Sequence, residues 1–95
     1  MLKNYKFNPK SEQQSKEMQK LLFSIGYFWI NNNGYNTYSY TNAKYLFTYS
    51  DGSLTYADYA EVFSQSSHQY MTLDQLQIYA LHPSQAYTIY GKEIN

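Results

Sequence analysis

The alternation of apolar and polar side chains predicts strands in the first half of the chain. Residues 2–7, LKNYKF, suggest a short first strand that Pro9 ends. Residues 27–31, YFWIN, are aromatic and β-branched, which is typical of a buried strand. Asn-Gly at 33–34 is a strong hairpin-turn signal, because both residues tolerate positive φ. We therefore expect residues 35–40 to return as a strand paired with 27–31.

One amphipathic helix is predicted between these strands, over about residues 11–25. Ser11 and Gln14 form a capping-box pattern at its start. Gly26 stands where a left-handed cap ends a helix. The apolar stripe that would face a core consists of Met18, Leu21, Leu22 and Ile25.

A second hairpin is predicted around Asp51-Gly52, a preferred two-residue turn. If Ser50 pairs with Ser53, alternate side chains of the two strands share a face of the sheet. The face predicted in this way carries Tyr45, Phe47, Tyr49, Leu54 and Tyr56.

The last third of the chain carries weaker signals. Residues 60–65, AEVFSQ, fit either a short helix or an irregular edge. Thr72 and Gln75 repeat the capping-box pattern, which predicts a short helix that ends before Pro83. Residues 86–94 resemble a final strand.

Together these elements predict an α+β fold in one domain, residues 1–95. The main helix packs on a mostly antiparallel sheet of four to six strands, with a short C-terminal helix.

Composition excludes several classes of protein. The 95 residues contain no cysteine and carry a net charge of zero, and all seven basic residues are lysines. A chain without cysteine has neither disulfides nor thiolate metal sites, and it fits a reducing compartment. Zero net charge disfavours binding to long nucleic acid. The longest apolar run is too short to span a membrane, and no signal peptide is expected.

Catalytic chemistry has little support, and we expect no enzyme, no cofactor and no metal site. His68 and His82 lie far apart in polar surroundings, without a metal-binding spacing. Asp58 and Glu61 are three residues apart, but a solvated helical face explains them better than a catalytic pair. No phosphate-binding glycine motif is present.

Thirteen tyrosines make the chain unusual. Genome composition and sheet packing explain many of them, but a chain of this length cannot bury them all. Exposed tyrosine among Asn, Ser and Thr is the chemistry of a recognition surface, because the ring gives rigid contact area at low entropic cost. The ligand-binding residues predicted on this ground are Tyr35, Asn36, Tyr38, Tyr40, Lys44 and Tyr45.

Two kinds of partner fit such a surface, and the sequence leaves both open. A small nucleotide would stack its base on the rings while Lys44 meets a phosphate. A protein would instead be held by a Tyr-rich surface with few charges. The nucleotide is the favoured ligand at this point, since it needs only one or two lysines. An aromatic sheet face also fits a self-interface in a homo-oligomer.

The runs SEQQSKEMQKLLFSIGYFWINN, KYLFTYSDGSLTY and MTLDQL, within residues 11–76, resemble a pattern in small accessory proteins of tailed phages. The resemblance implies a phage-encoded protein that acts in the host cytoplasm. It further implies a role against a host defence system, either by sequestering a nucleotide immune signal or by binding a defence protein. A virion structural or assembly component is a less favoured alternative.

Overall fold

Four strands and three helices form the part of the chain that a computed structural model describes, residues 2–30 and 36–81. In chain order they are β1 (Tyr5–Phe7), α1 (Glu12–Ser24), β2 (Tyr45–Thr48), β3 (Leu54–Ala57), α2 (Ala60–Gln65), β4 (Gln69–Tyr70) and α3 (Leu73–Leu81). The strand order in the sheet is β3-β2-β1-β4. The β1/β2 and β2/β3 pairs are antiparallel, whereas β1 and β4 are parallel. The predicted α+β class, main helix and short C-terminal helix are confirmed.

Helix α1 begins and ends as its sequence predicts. The Ser11 hydroxyl accepts a hydrogen bond of 3.0 Å from the backbone N–H of Gln14. At the other end Gly26 has a φ of +110°, and the backbone N–H of Tyr27 donates to the carbonyl of Leu22 at 3.0 Å. This is a Schellman motif, in which a left-handed glycine lets the chain turn back over the last helical carbonyls.

Helix α3 starts with a reciprocal capping box. The Thr72 hydroxyl accepts from the backbone N–H of Gln75 at 3.1 Å, and the Gln75 side chain accepts from the backbone N–H of Thr72 at 2.9 Å. Residues 60–65, for which two conformations were open, form the helix α2. Pro83 and the predicted last strand at 86–94 lie outside the described residues.

The core lies between one face of the sheet, here called the inner face, and helices α1 and α3. Its strand side chains are Tyr5, Phe7, Leu46 and Leu54, and its other buried members are Met18, Leu22, Tyr27, Trp29, Met71 and Leu76. Full burial of one such side chain stabilises a fold by roughly 1.5–3 kcal/mol. The large aromatic members therefore make this inner face the main source of stability.

The predicted register of the second hairpin is wrong by one residue. Tyr49, not Ser50, is opposite Ser53, because Thr48 pairs with Leu54. A two-residue type I′ turn needs positive φ at both central residues, but in this loop only Gly52 has one, at +94°. The backbone N–H of Gly52 donates to the carbonyl of Tyr49 at 2.9 Å, which makes a three-residue loop with a glycine bulge.

This shift moves two side chains to the other side of the sheet, since side-chain direction alternates along a strand. Leu54 and Tyr56 lie on the inner face with Leu46, and not with Tyr45 and Phe47 as predicted. Leu54 thereby enters the core, and Tyr56 lies at the exposed edge of the inner face.

The outer face of the sheet is covered in part by α2. The Lys6 ammonium on β1 donates to the carbonyls of Phe63, at 2.6 Å, and Ser66, at 3.0 Å, near the end of α2. It also lies 4.7 Å from the centre of the Phe63 ring. A cation at the C-terminus of a helix donates hydrogen bonds to carbonyls that have no partner within the helix, and it interacts favourably with the helix dipole. Lys6 therefore attaches α2 to the sheet.

The first predicted hairpin does not form in the described residues. Within residues 27–30, only Phe28 pairs with the sheet, through an isolated β-bridge to Ser53. Residues 36–40 contain no strand, and Asn33 and Gly34 lie outside the described residues. The prediction of a strand over 35–40 is therefore wrong for 36–40. The backbone of Ser39 bonds to a side chain of α1 instead of a neighbouring strand.

The loop between β2 and β3 has a testable steric requirement. A Cβ at Gly52 would lie 2.8 Å from an atom of the Phe28 ring, whereas the nearest neighbour of a Cβ at Gly26 is Leu2, at 3.7 Å. Both glycines have positive φ.

We expect Gly26→Ala to lower the free energy of unfolding by about 1–2 kcal/mol, through backbone strain alone. Gly52→Ala should lower it by about 2–4 kcal/mol, because overpacking is added. Urea denaturation measures both, and equal losses would contradict the close approach of Phe28.

Candidate functional site

The site is held in place by the side chain of Gln19, which is fully buried on α1. Its amide N–H donates to the Ser39 carbonyl at 2.8 Å and to the Ser15 hydroxyl at 3.1 Å. Its amide oxygen accepts from the Ser39 backbone N–H at 3.1 Å and from the Trp29 indole N–H at 3.0 Å. Gln19 therefore joins three distant parts of the chain, and it fixes residues 38–40 against the helix without a strand.

Tyr40 follows this anchor in an unusual conformation. Its φ is +50°, the one positive value at a non-glycine position in the described chain. The left-handed region is unfavourable for a bulky side chain by roughly 1–2 kcal/mol. The Tyr40 ring packs edge-on against Trp29, with 5.0 Å between ring centres, and stacks on Tyr56 at 4.1 Å. These contacts offset the strain and hold the ring at the surface.

The result is an aromatic patch, which we define as Trp29, Ile30, Tyr40 and Tyr56. Trp29 is its buried floor, while Ile30 is 63% exposed, Tyr40 42% and Tyr56 45%. Tyr38 lies beyond Ser39 and is half-exposed, with its ring stacked on Phe23 at 5.9 Å.

Two hollows meet at the stacked rings of Tyr40 and Tyr56. The first, of about 270 Å³, is lined by Trp29, Ile30, Tyr40, Leu54, Thr55 and Tyr56. The second, of about 330 Å³, is lined by Tyr40, Thr41, Asn42, Ala43, Tyr56 and Asp58. Aromatic and aliphatic residues form most of the first. Among the described residues that line the two hollows, Asp58 is the one that carries a charge, and this charge is negative.

The cations near the site lie in a neighbouring hollow. Lys10 and Lys44 line a space of about 200 Å³ together with Glu12, next to the turn at Thr41. The Thr41 hydroxyl donates to the Glu12 carboxylate at 3.3 Å. The backbone N–H of Lys44 donates to the Asp58 carboxylate at 3.2 Å. The Glu12 carboxylate lines the same hollow as the two lysines, which weakens the attraction of this region for phosphate.

The structure brings together only some of the residues that the sequence predicts as a ligand site. Tyr40 belongs to the patch, Tyr38 flanks it, and Lys44 is exposed beside it. Asn36 is exposed and is not among the residues that line the two hollows. Tyr45 lies on the outer face of the sheet, stacked on Phe63 at 4.5 Å, so it is separated from Tyr40. Tyr35 lies outside the described residues.

Sequence reasoning missed four residues of the site. Trp29 and Ile30 were assigned to a buried strand, and Tyr56 was placed on the wrong face by the register error. Asp58 was taken for a solvated carboxylate, and it is indeed exposed. The one signal in the sequence was the clustering of aromatic residues with an isolated carboxylate after β3.

A further hollow, of about 200 Å³, is lined by Asn8, Lys10, Gln14, Met18, Tyr70, Thr72, Leu73 and Asp74. The opposite charges of Lys10 and Asp74 leave it without net charge, and Tyr70 is its single aromatic residue. It contains none of the residues predicted to bind a ligand. The aromatic patch is therefore the better candidate for recognition.

His68 packs under the outer face instead of standing at the surface as predicted. Its ring makes edge-on contacts with Phe47, at 5.6 Å between ring centres, and Tyr49, at 4.7 Å. Burial lowers the pKa of His68, with a smaller contribution from the charge of Lys6, although a hydrogen bond with the backbone of Thr48 opposes the shift. The described residues contain no group of three or more His, Cys, Asp or Glu that could hold a metal.

Comparison with protein-family models, with curated proteins and with solved structures finds no match to this chain. Among the described helices, none has the length and apolar character that crossing a membrane requires. The choice of a binding surface therefore depends on the geometry of the site itself.

The anchoring role of Gln19 predicts a large loss of stability when its amide is removed. Gln19→Met keeps the length of the side chain but deletes the hydrogen bonds to Trp29, Ser39 and Ser15. We expect the free energy of unfolding to fall by about 2–4 kcal/mol, because buried polar groups lose their partners. Lys20→Met, at an exposed neighbour on the same helix, is the matched control and should change it by less than about 0.5 kcal/mol. Urea unfolding followed by Trp29 fluorescence measures the free energy of unfolding of both variants. Similar losses in the two would rule out an anchoring role for Gln19.

The half-buried His68 predicts a stability that depends on pH. The Nε2 atom is buried with no hydrogen-bond partner, so a proton there is unfavourable in the folded state. The unfolded chain therefore binds the proton more tightly, near the ordinary pKa of 6.5. The free energy of unfolding should be constant well above this pH, and it should fall as the pH drops through 6.5 toward the lower pKa of the folded state. His68→Gln should flatten the profile between pH 7.5 and 5.5, measured by urea denaturation. An unchanged slope would contradict the assignment.

Proposed function

We propose that this chain is a non-catalytic binding protein whose aromatic patch, Trp29, Ile30, Tyr40 and Tyr56, contacts another protein. The observation that supports the proposal is an exposed, uncharged aromatic surface whose central ring is held at a strained backbone position by neighbouring rings. Strained residues persist where the surrounding structure determines them, and they cluster at functional sites.

The chemistry of the patch suits a protein partner. The centres of protein interfaces are rich in Tyr and Trp and poor in Lys and Glu, and a few such residues supply most of the binding energy. Tyr40 and Tyr56 offer rigid rings with polar tips, and the first hollow beside them offers an apolar pocket for a side chain. Asn42 at the second hollow supplies an adaptable hydrogen-bonding group.

Two features favour a protein over the nucleotide that the sequence alone favoured. The rings of Tyr40 and Tyr56 are 4.1 Å apart, so they already contact each other and leave no space for a base between them. Phosphate would also meet Asp58 in the second hollow. A nucleotide remains a second candidate through Lys10 and Lys44, which line the adjoining hollow.

We further propose that the partner is a host defence protein and that the chain inhibits it inside the host cytoplasm. This part of the proposal depends on the resemblance of residues 11–76 to accessory proteins of tailed phages. An inhibitor of this kind needs no catalytic group. A small rigid surface is enough if it covers the part of its target that the target needs for activity.

The proposal predicts that loss of Tyr56 abolishes function without loss of folding. The chain is expressed in bacteria that carry single phage-defence systems, and plaque counts show which system it suppresses. Tyr56→Ser should restore defence and lose co-purification of the defence protein, because about 1–2 kcal/mol or more of contact energy is removed. Tyr59→Ser is the matched control, since Tyr59 is 70% exposed at the start of α2 and is not among the residues that line the two hollows.

The outcomes separate the candidates. In one outcome, Tyr56→Ser and Tyr59→Ser give the same plaque counts and the same co-purification while circular dichroism shows that both are folded. That result would contradict the aromatic patch as the contact surface. In the same preparations, a rise in melting temperature with a cyclic or linear nucleotide that Lys44→Ala abolishes would favour the nucleotide instead, since a ligand of the native state stabilises it.

A further inference from the structure

The second hollow of the site combines aromatic rings with a carboxylate. Tyr40 and Tyr56 form one side, Asp58 lines it as well, and Thr41 to Ala43 complete the wall. We infer that this hollow takes a positively charged side chain, an arginine guanidinium, from the partner protein. The inference rests on the proposed function and specifies what the partner must present.

The rings supply the first half of the recognition. The faces of aromatic rings carry partial negative charge, and an arginine guanidinium stacks on them through cation–π attraction. The Tyr40 and Tyr56 rings are nearly parallel, with 18° between their planes, and both are close to half-exposed. Each ring covers one face of the other, so a planar guanidinium can lie on the face of either ring that the other ring leaves uncovered.

Asp58 supplies the second half. It lies one residue after β3, and one carboxylate oxygen, Oδ1, accepts the backbone N–H of Lys44 at 3.2 Å. That hydrogen bond links the carboxylate to the start of β2. Among the described residues, no basic side chain forms an ion pair with Asp58, so its charge is available. Arginine matches a carboxylate through a planar fork of N–H donors, which a lysine ammonium lacks.

The other charged residues near the second hollow do not reverse its preference for a positively charged side chain. Lys44 is next in sequence to Ala43 but lines the adjoining hollow, together with Lys10 and Glu12. The Thr41 hydroxyl is directed to Glu12, at 3.3 Å. The lysines thus line the adjoining hollow together with a second carboxylate, and Asp58 is the one charged residue among the described residues that line the second hollow.

The first hollow determines which kind of partner side chain lies next to the arginine. It shares Tyr40 and Tyr56 with the second hollow and is otherwise lined by Trp29, Ile30, Leu54 and Thr55. An apolar side chain fits there. The partner is therefore expected to present a basic side chain adjacent to an apolar one, with both side chains in contact with the stacked ring pair.

Selection from a random 12-residue peptide library against the immobilised full chain tests this inference. Peptides are retained only if they bind wild type and lose binding to Tyr56→Ser. We expect arginine beside an aliphatic or aromatic residue to be enriched. The affinity of a selected peptide should fall about fivefold to tenfold with Asp58→Asn, or when its arginine is replaced by the neutral isostere citrulline.

The matched controls isolate the charge. Asparagine at 58 keeps an oxygen that accepts the Lys44 N–H, so the fold is preserved while the charge is removed. Once Asp58→Asn is present, citrulline should cause little further loss, because the two changes remove the same interaction. Glu12→Gln, in the adjoining hollow, should leave peptide affinity within about twofold.

Two failures are distinguishable. Peptides that depend on Tyr56 but show no enrichment of arginine and no sensitivity to Asp58→Asn would overturn this inference and leave the protein-binding patch standing. A selection in which no bound peptide depends on Tyr56 would overturn both.

Discussion

The buried amide of Gln19 is the interaction on which the candidate site depends. A polar group in a protein interior is unfavourable unless its donors and acceptors are all used. The Gln19 amide satisfies this condition through Trp29, Ser15 and the backbone of Ser39. It supplies to Ser39 the two hydrogen bonds that a neighbouring strand would otherwise provide. A segment of polar residues and tyrosines is thereby fixed to the core without becoming part of the sheet.

The sheet combines the lysine-rich first half of the chain with the acidic second half. Residues 1–48 contain six lysines against two glutamates, and the second half has the opposite balance. Strands β2 and β1 of the first half lie in the centre of the sheet, between β3 and β4 of the second half. Lys6 is moreover engaged with the end of α2, and Lys10 and Lys44 lie near Glu12.

The two faces of the sheet have different roles. The inner face holds the core, and at its exposed edge Tyr56 meets Tyr40 to form the patch. On the outer face, α2 is attached through Lys6 and the ring of Phe63, and His68 is packed beneath it. The core that stabilises the fold therefore also supplies the floor of the patch, Trp29, which fixes the exposed rings above it.

Local rules were enough to predict much of the fold from sequence. The caps at Ser11, Gly26 and Thr72 involve residues close in the chain, so their geometry follows from residue type alone. The register of the β2/β3 hairpin did not follow, because Asp51-Gly52 fits both a two-residue turn and a three-residue loop with a glycine bulge. That one-residue difference decides which face Tyr56 occupies.

The candidate site shows the same division between local and long-range information. The sequence by itself determined that tyrosines exceed what a small core can bury, and it located some of the exposed ones, Tyr38 and Tyr40 among them. Only the tertiary structure decided that Tyr40 meets Tyr56 and Asp58 while Tyr45 faces the other way. The physical reason is that these contacts join residues far apart in the chain, through a glutamine whose partners no local pattern specifies.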